Sequence, residues 1–172
     1  VLNNRPLPFD AIAEARRQWE AHGWPVPSAM AAATSIMRAQ QIVLARVDAV
    51  LRPLDLTFAR YEALVLLYFS RQGSLPLGKM GDRLMLHPTS VTNIIDRLED
   101  QGLVRRVPHP TDRRTTLAEI TDDGRTLTEK ATEAATSATL GMGGLSDREL
   151  DQLTKLLRKL RVDAGDFPNR DD

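Results

Sequence analysis

The 172-residue sequence contains no cysteine, which excludes a disulfide scaffold, thiolate metal ligation and any sensor acting through its own thiol. Its three histidines, His22, His87 and His109, are too widely spaced to form a short ligand motif, so neither a metal nor another cofactor is expected. Long hydrophobic runs are also missing. The longest, Ala63 to Phe69, falls far short of the roughly 20 residues that span a bilayer. The opening VLNNRPLPFD is too polar and proline-broken for a secretory signal, and a soluble cytoplasmic protein without membrane contact is expected. Neither sign of charge is in excess: 23 basic residues meet 23 acidic ones, so any affinity for nucleic acid has to come from a local patch. No phosphate loop or nucleotide-binding glycine motif occurs. Ser90 and His87 lie near each other in the chain, with Asp82 or Asp112 available on paper, but nearness in sequence is not catalytic geometry. No enzyme is expected.

What the chain does have is 42% hydrophobic and 27% charged residues, enough for one domain with appended helices. Residues 1–27 read as an arm and a short helix capped by Asp10, with Trp19 and Trp24 in need of a partner surface. Residues 28–55 hold a long helix opened at Ser28, with Met30, Ala33, Met37, Gln40, Leu44, Val47 and Leu51 along one face and Pro53 ending it. Residues 56–120 form a lobe. It starts with a helix capped by Thr57, its inward stripe running from Phe58 through Tyr61, Leu64 and Val65 to Tyr68. A very short helix from Pro76 to Leu84 follows, in which Gly81 implies close approach of another element. After a tight turn at Met85 and Leu86, Pro88 opens a helix to about Gln101 that ends at Gly102. Two extended runs, Leu103 to Val107 and Thr115 to Ile120, flank the overlong turn PHPTDRR. Residues 121–165 hold two more helices, one from Thr121 to about Leu140 and one opened by a Ser146 and Glu149 capping box with a leucine stripe. The tail, 166–172, is expected to fray.

Two short helices joined by a tight turn and followed by a hairpin describe a mainly α fold: a winged helix-turn-helix with a two-stranded wing, plus N- and C-terminal helices for dimerisation. A groove-reading helix needs small polar side chains toward base edges and an anchored opposite face. The helix from Pro88 meets both requirements. Its outer side presents His87, Pro88, Thr89, Ser90, Thr92, Asn93 and Arg97, while Val91, Ile94, Ile95 and Leu98 face inward. Its N-terminal end is also expected to offer unpaired N–H groups to a phosphate. Between Leu103 and Ala118, Arg105, Arg106, Arg113 and Arg114 stand against Asp112, a net charge of +3 in a neutral chain. A wing tip carrying arginine suits the narrow minor groove. The plain alternatives are a solvated helix face, a solubilising hairpin turn and a monomeric packing of the flanking helices. A winged-helix protein-interaction module that never touches DNA is the competing function.

The stretch from about Leu56 to Gly124 resembles the winged helix-turn-helix of MarR-type bacterial transcriptional regulators. The resemblance is carried by HPTSVTNIIDRLEDQGLV (His87 to Val104), the wing PHPTDRR, and ITDDG (Ile120 to Gly124). It implies a homodimer formed by the terminal helices and a roughly palindromic double-stranded DNA operator. It implies further that Asp112 orients the wing, that Arg114 enters the minor groove, and that Arg113 is more variable. A local or autoregulatory repressor released by a small anionic or phenolic effector is the expected function, with Met37, Gln41, Tyr61 and Tyr68 as the candidate pocket. Without cysteine, the thiol-oxidation branch of such regulators is excluded.

Overall fold

The computed structural model orders its elements as α1 (Ala11–Ala21), α2 (Pro27–Leu51), α3 (Phe58–Tyr68), β1 (Ser74–Pro76), α4 (Leu77–Leu84), α5 (Pro88–Asp100), β2 (Val104–Pro108), β3 (Thr116–Ile120), α6 (Asp122–Ser137) and α7 (Asp147–Asp163). The structure describes residues 6–112 and 114–168. The start of the arm, Arg113 of the wing and the end of the expected fraying tail lie outside them. The chain divides into two units, one reaching to Gly141 and the other starting at Met142.

In the first unit, the helix starts follow from short polar side chains. The Asp10 carboxylate accepts from the N–H groups of Ile12 (2.9 Å) and Ala13 (3.2 Å), Thr57 caps α3 through Arg60 N–H, and the Thr121 hydroxyl accepts from Gly124 N–H at 3.0 Å. Helix α2 begins one residue before the expected Ser28, because Pro27 takes the first helical position and Val26 before it adopts a left-handed φ of 52°. It stops at Leu51 and tightens into a 3-10 turn over Arg52–Leu54, as Pro53 requires. Helix α6 ends at Ser137, short of the expected Leu140, because Thr139 and Leu140 take φ of 51° and 48° and break the ladder ahead of the glycines. Trp19 and Trp24 supply much of each other's partner surface: their rings meet edge to face at 4.8 Å, and the Trp19 indole N–H donates to the Pro25 carbonyl at 2.8 Å.

The sheet is antiparallel, in the order β1-β3-β2. The expected hairpin is β2–β3, in register from Val104 opposite Ile120 to Pro108 opposite Thr116. A third strand, β1, adds to it by pairing Ser74 with Glu119 and Pro76 with Leu117. A strand of three residues ending in proline has no alternation to read and is defined only by its partner.

The core gathers Val47 and Leu51 of α2, Leu64 and Leu67 of α3, Met80 of α4, and Val91, Ile95 and Leu98 of α5 around Val104 and Ala118. Two glycines make close approaches possible. A Cβ on Gly81 would lie 3.1 Å from the Leu86 carbonyl oxygen, so the α4–α5 turn folds directly onto α4. A Cβ on Gly124 would lie 2.1 Å from the Leu103 carbonyl oxygen, which accepts from Thr121 N–H at 3.0 Å and locks the start of α6 to the entry of the wing. Of the apolar face expected on α2, only Val47 and Leu51 are buried, while Ala33, Met37 and Gln40 are exposed.

In the second unit, α7 opens as expected. The Glu149 carboxylate accepts from the Ser146 N–H (2.8 Å) and hydroxyl (2.7 Å). None of its residues is buried, and Leu156 and Leu160 are more than half exposed.

Candidate nucleic-acid interface

Helix α5 rests on Val91, Ile95 and Leu98, all buried, and this fixes its opposite face outward. Pro88, Thr89, Ser90, Thr92, Asn93 and Arg97 on that face are all exposed. The Thr92 hydroxyl donates to the Pro88 carbonyl at 3.1 Å, leaving its oxygen to accept. Arg97 lies 3.9 Å from Asp100, a loose surface pair. The helix end differs from expectation. Pro88 has no N–H, Thr89 N–H donates to the His87 ring nitrogen Nδ1 at 3.3 Å, and Ser90 N–H donates to the His87 carbonyl at 2.9 Å. The first turn therefore offers a phosphate little unpaired backbone. The His87 ring is exposed, and accepting at Nδ1 leaves its hydrogen on Nε2.

The wing tip is built by the same device. His109 Nδ1 accepts from the N–H groups of Thr111 (3.3 Å) and Asp112 (3.2 Å). The Asp112 carboxylate then accepts from Arg114 N–H at 3.0 Å and the Thr115 hydroxyl at 2.6 Å. The Thr115 hydroxyl, followed by the Arg114 N–H, holds the Asp112 carboxyl below its ordinary value. Asp112 thus closes the turn that carries Arg114. Arg114 is exposed, and among the described residues no carboxylate pairs with its guanidinium.

The other two wing arginines are engaged internally. Arg105 bonds Glu119 across the hairpin, Nε to Oε1 at 2.9 Å. Arg106 points back to α5, where its guanidinium meets both Asp96 and Glu99 and its N–H donates to Glu99 Oε1 at 3.0 Å. The +3 reading of the window 103–118 is corrected accordingly, because the carboxylates that neutralise Arg105 and Arg106 lie just outside it. What the sequence reading missed are Lys79 and Arg83 on α4, both exposed and without a carboxylate partner among the described residues. The first helix of a helix-turn-helix crosses the DNA backbone, so basic residues there were a usable signal.

A mainly helical chain with this helix pair and wing matches known proteins along most of its length. The sequence profile of the MarR family covers residues 56–116. The transcriptional regulator MhqR of Bacillus subtilis is 33% identical over 111 residues, spanning 64% of this chain and 75% of MhqR. The crystal structure of Sco5413, a MarR family transcriptional regulator from Streptomyces coelicolor, is 56% identical, with a TM-score of 0.77 over 84% of this chain and 99% of its own. The chain belongs to the MarR family. As a MarR-family protein it is a winged helix-turn-helix transcriptional regulator and not an enzyme. CouR from Rhodococcus jostii, solved with p-coumaroyl-CoA bound, is 27% identical, with a TM-score of 0.66 over 78% of this chain and 90% of its own. Among the described residues, no helix of this MarR-family chain is long and apolar enough to cross a membrane.

The four residues expected to line an effector pocket separate into two groups. Tyr61 is buried on α3, its hydroxyl 3.1 Å from that of Thr132, and Tyr68 donates to Glu129 at 2.8 Å. The bond to Glu129 and that carboxylate's charge raise the Tyr68 phenol above its ordinary value. Two adjoining cavities open beside them. One, of about 360 Å³, is lined by Phe58, Tyr61, Glu62, Leu66 and Leu84 among others, and the second, of about 250 Å³, by Tyr68, Thr128, Glu129 and Thr132. Val65 and Phe69 line both. Met37 and Gln41 line neither and lie exposed on α2. Among the described residues, no cation lines either cavity, so the anionic effector implied by resemblance finds no counter-charge from them there.

Proposed function

We propose that this chain acts as a homodimeric, sequence-specific DNA-binding regulator, a local or autoregulatory repressor whose grip on its operator is released by a small-molecule effector. The observation carrying the proposal is the pairing of an anchored helix, α5, whose exposed face holds Ser90, Thr92 and Asn93, with a wing tip whose Asp112 turn carries an exposed Arg114 whose guanidinium meets no carboxylate among the described residues. Ser90, Thr92 and Asn93 would meet base edges, Arg114 the minor groove, and Lys79, Arg83 and His87 the phosphates. Arg105, Arg106 and Asp112 would serve by holding the wing in place. Self-association is supported by the unburied apolar residues of α2 and by α7, which buries nothing. Two-fold pairing would set the recognition helices about 34 Å apart, or a multiple of that, on a roughly palindromic site. The p-coumaroyl-CoA complex of CouR supports the effector half of the reading.

The test is selection of bound duplexes from a random pool, followed by titration at two salt concentrations. An inverted-repeat motif with strongly salt-dependent affinity is the expected result. Absence of any enriched motif would favour the protein-interaction module.

A further inference from the structure

The larger of the two cavities beside α3 is apolar and aromatic except for Glu62. We infer that it takes an amphiphilic organic cation, an ammonium centre on an apolar or aromatic body, with Glu62 as the counter-charge of the ammonium and the rings of Phe58, Tyr61 and Phe69 as lining for the molecule as a whole. The inference names the effector's chemical class and rests on the proposed effector release for its regulatory meaning.

Three observations converge on a cation. Glu62 lies at the mouth of the cavity, and among the described residues no basic group or hydrogen-bond donor pairs with it. Apolar surroundings nevertheless withdraw enough water to raise its carboxyl above the ordinary value. An ammonium group placed there relieves that cost, whereas a carboxylate or phenolate would add a second negative charge. The aromatic lining acts in the same direction. Ring faces carry negative potential and attract cations, and Phe58 and Tyr61 form a wedge with centroids 6.4 Å apart and planes inclined by 43°. Phe69, 79% exposed, lines the same cavity further along α3, with its ring edge-on to Tyr68 at 5.9 Å. Most of that ring stays open to a ligand. Among the described residues the neighbouring cavity adds no positive charge, since the charged residue lining it is Glu129. Arg125, over the Tyr68 ring at 5.5 Å, lines neither space. A volume of about 360 Å³ admits a single-ring or short-chain ammonium compound.

The test titrates the whole chain with benzyltrimethylammonium, with the similarly shaped but uncharged benzyl tert-butyl ether, and with salicylate, following binding by NMR. The same titrations are made on Glu62→Gln and Phe69→Ala, both surface changes whose folding is checked by thermal unfolding. Glu62→Gln should weaken the cation by roughly tenfold and leave the ether unchanged, and Phe69→Ala should weaken the cation severalfold. Cation affinity indifferent to Glu62→Gln, tighter binding of salicylate than of the cation, or no cation binding at all would each overturn the inference. Duplex binding is measured on the same samples. A cation held through Glu62 in a chain that binds no duplex, or whose duplex it fails to release, upholds the ligand class while overturning the proposed function or its effector half.

Discussion

Replacing Gly124 by alanine is the sharpest stability test of the junction between wing and α6. The added Cβ would stand 2.1 Å from the Leu103 carbonyl oxygen and 2.8 Å from Ile120 Cγ1, both well inside the 3.4 Å at which ordinary contact begins. The nearer atom is backbone and cannot rotate away. Forcing a methyl group into a packed site costs about 1–3 kcal/mol. Moving the Leu103 carbonyl also loosens its bond from Thr121 N–H, worth about 1 kcal/mol. Against this, alanine in a helix gains about 0.5–1 kcal/mol over glycine. The balance is a loss of about 1–3.5 kcal/mol. Gly78 in α4 is the control: nothing lies within 4 Å of its added Cβ, so Gly78→Ala should gain about 0.5–1 kcal/mol. Urea unfolding at matched protein concentration reads both, since pairing makes stability concentration-dependent. A Gly124→Ala variant as stable as the parent, or one that gains like Gly78→Ala, would refute the account of the junction.

Arg114→Ala should weaken operator binding by about tenfold or more with the unfolding midpoint unchanged, because its guanidinium is assigned to the groove and has no described internal partner; binding shifts and melting curves check it together. Arg106→Met should cost about 1 kcal/mol or less in low salt, a loss that shrinks as salt rises, because Asp96 and Glu99 are themselves partly exposed. A salt-independent loss would mean that the alkyl stem, not the charge, matters there. Asp112 has a lowered carboxyl in the folded chain, so its contribution to the wing tip is full above the unfolded aspartate value of about 3.9 and is lost as pH falls through the lower folded value. The Arg114 amide resonance should accordingly move only below the ordinary aspartate range, and a midpoint at or above it would contradict the turn.

The helix-turn-helix was legible because its signals are local. Thr57 and Thr121 cap over three residues, Gly81 sits where two helices meet, and Val91, Ile95 and Leu98 repeat at helical spacing on α5. The wing hairpin was legible from its β-branched runs. What stayed hidden depends on contacts between distant segments. Strand β1 exists only because Ser74–Pro76 meets β3. The partners of Arg105 and Arg106 stand 14 and 7–10 positions away, so a charge count in a short window could not see them. Tyr61 and Tyr68 share a helix and so share a neighbourhood, while Met37 and Gln41 were grouped with them by resemblance alone, without a local signal to place them there.

The Arg106 tie joins the wing strand to the recognition helix through Asp96 and Glu99 on the side of α5 away from its first turn. Grafting a foreign recognition helix into this scaffold to redirect it to another operator therefore has to retain both acids. A transplant with neutral residues at those two positions would leave the Arg106 guanidinium without either carboxylate and slacken the link between wing and helix, while the strand pairing holds.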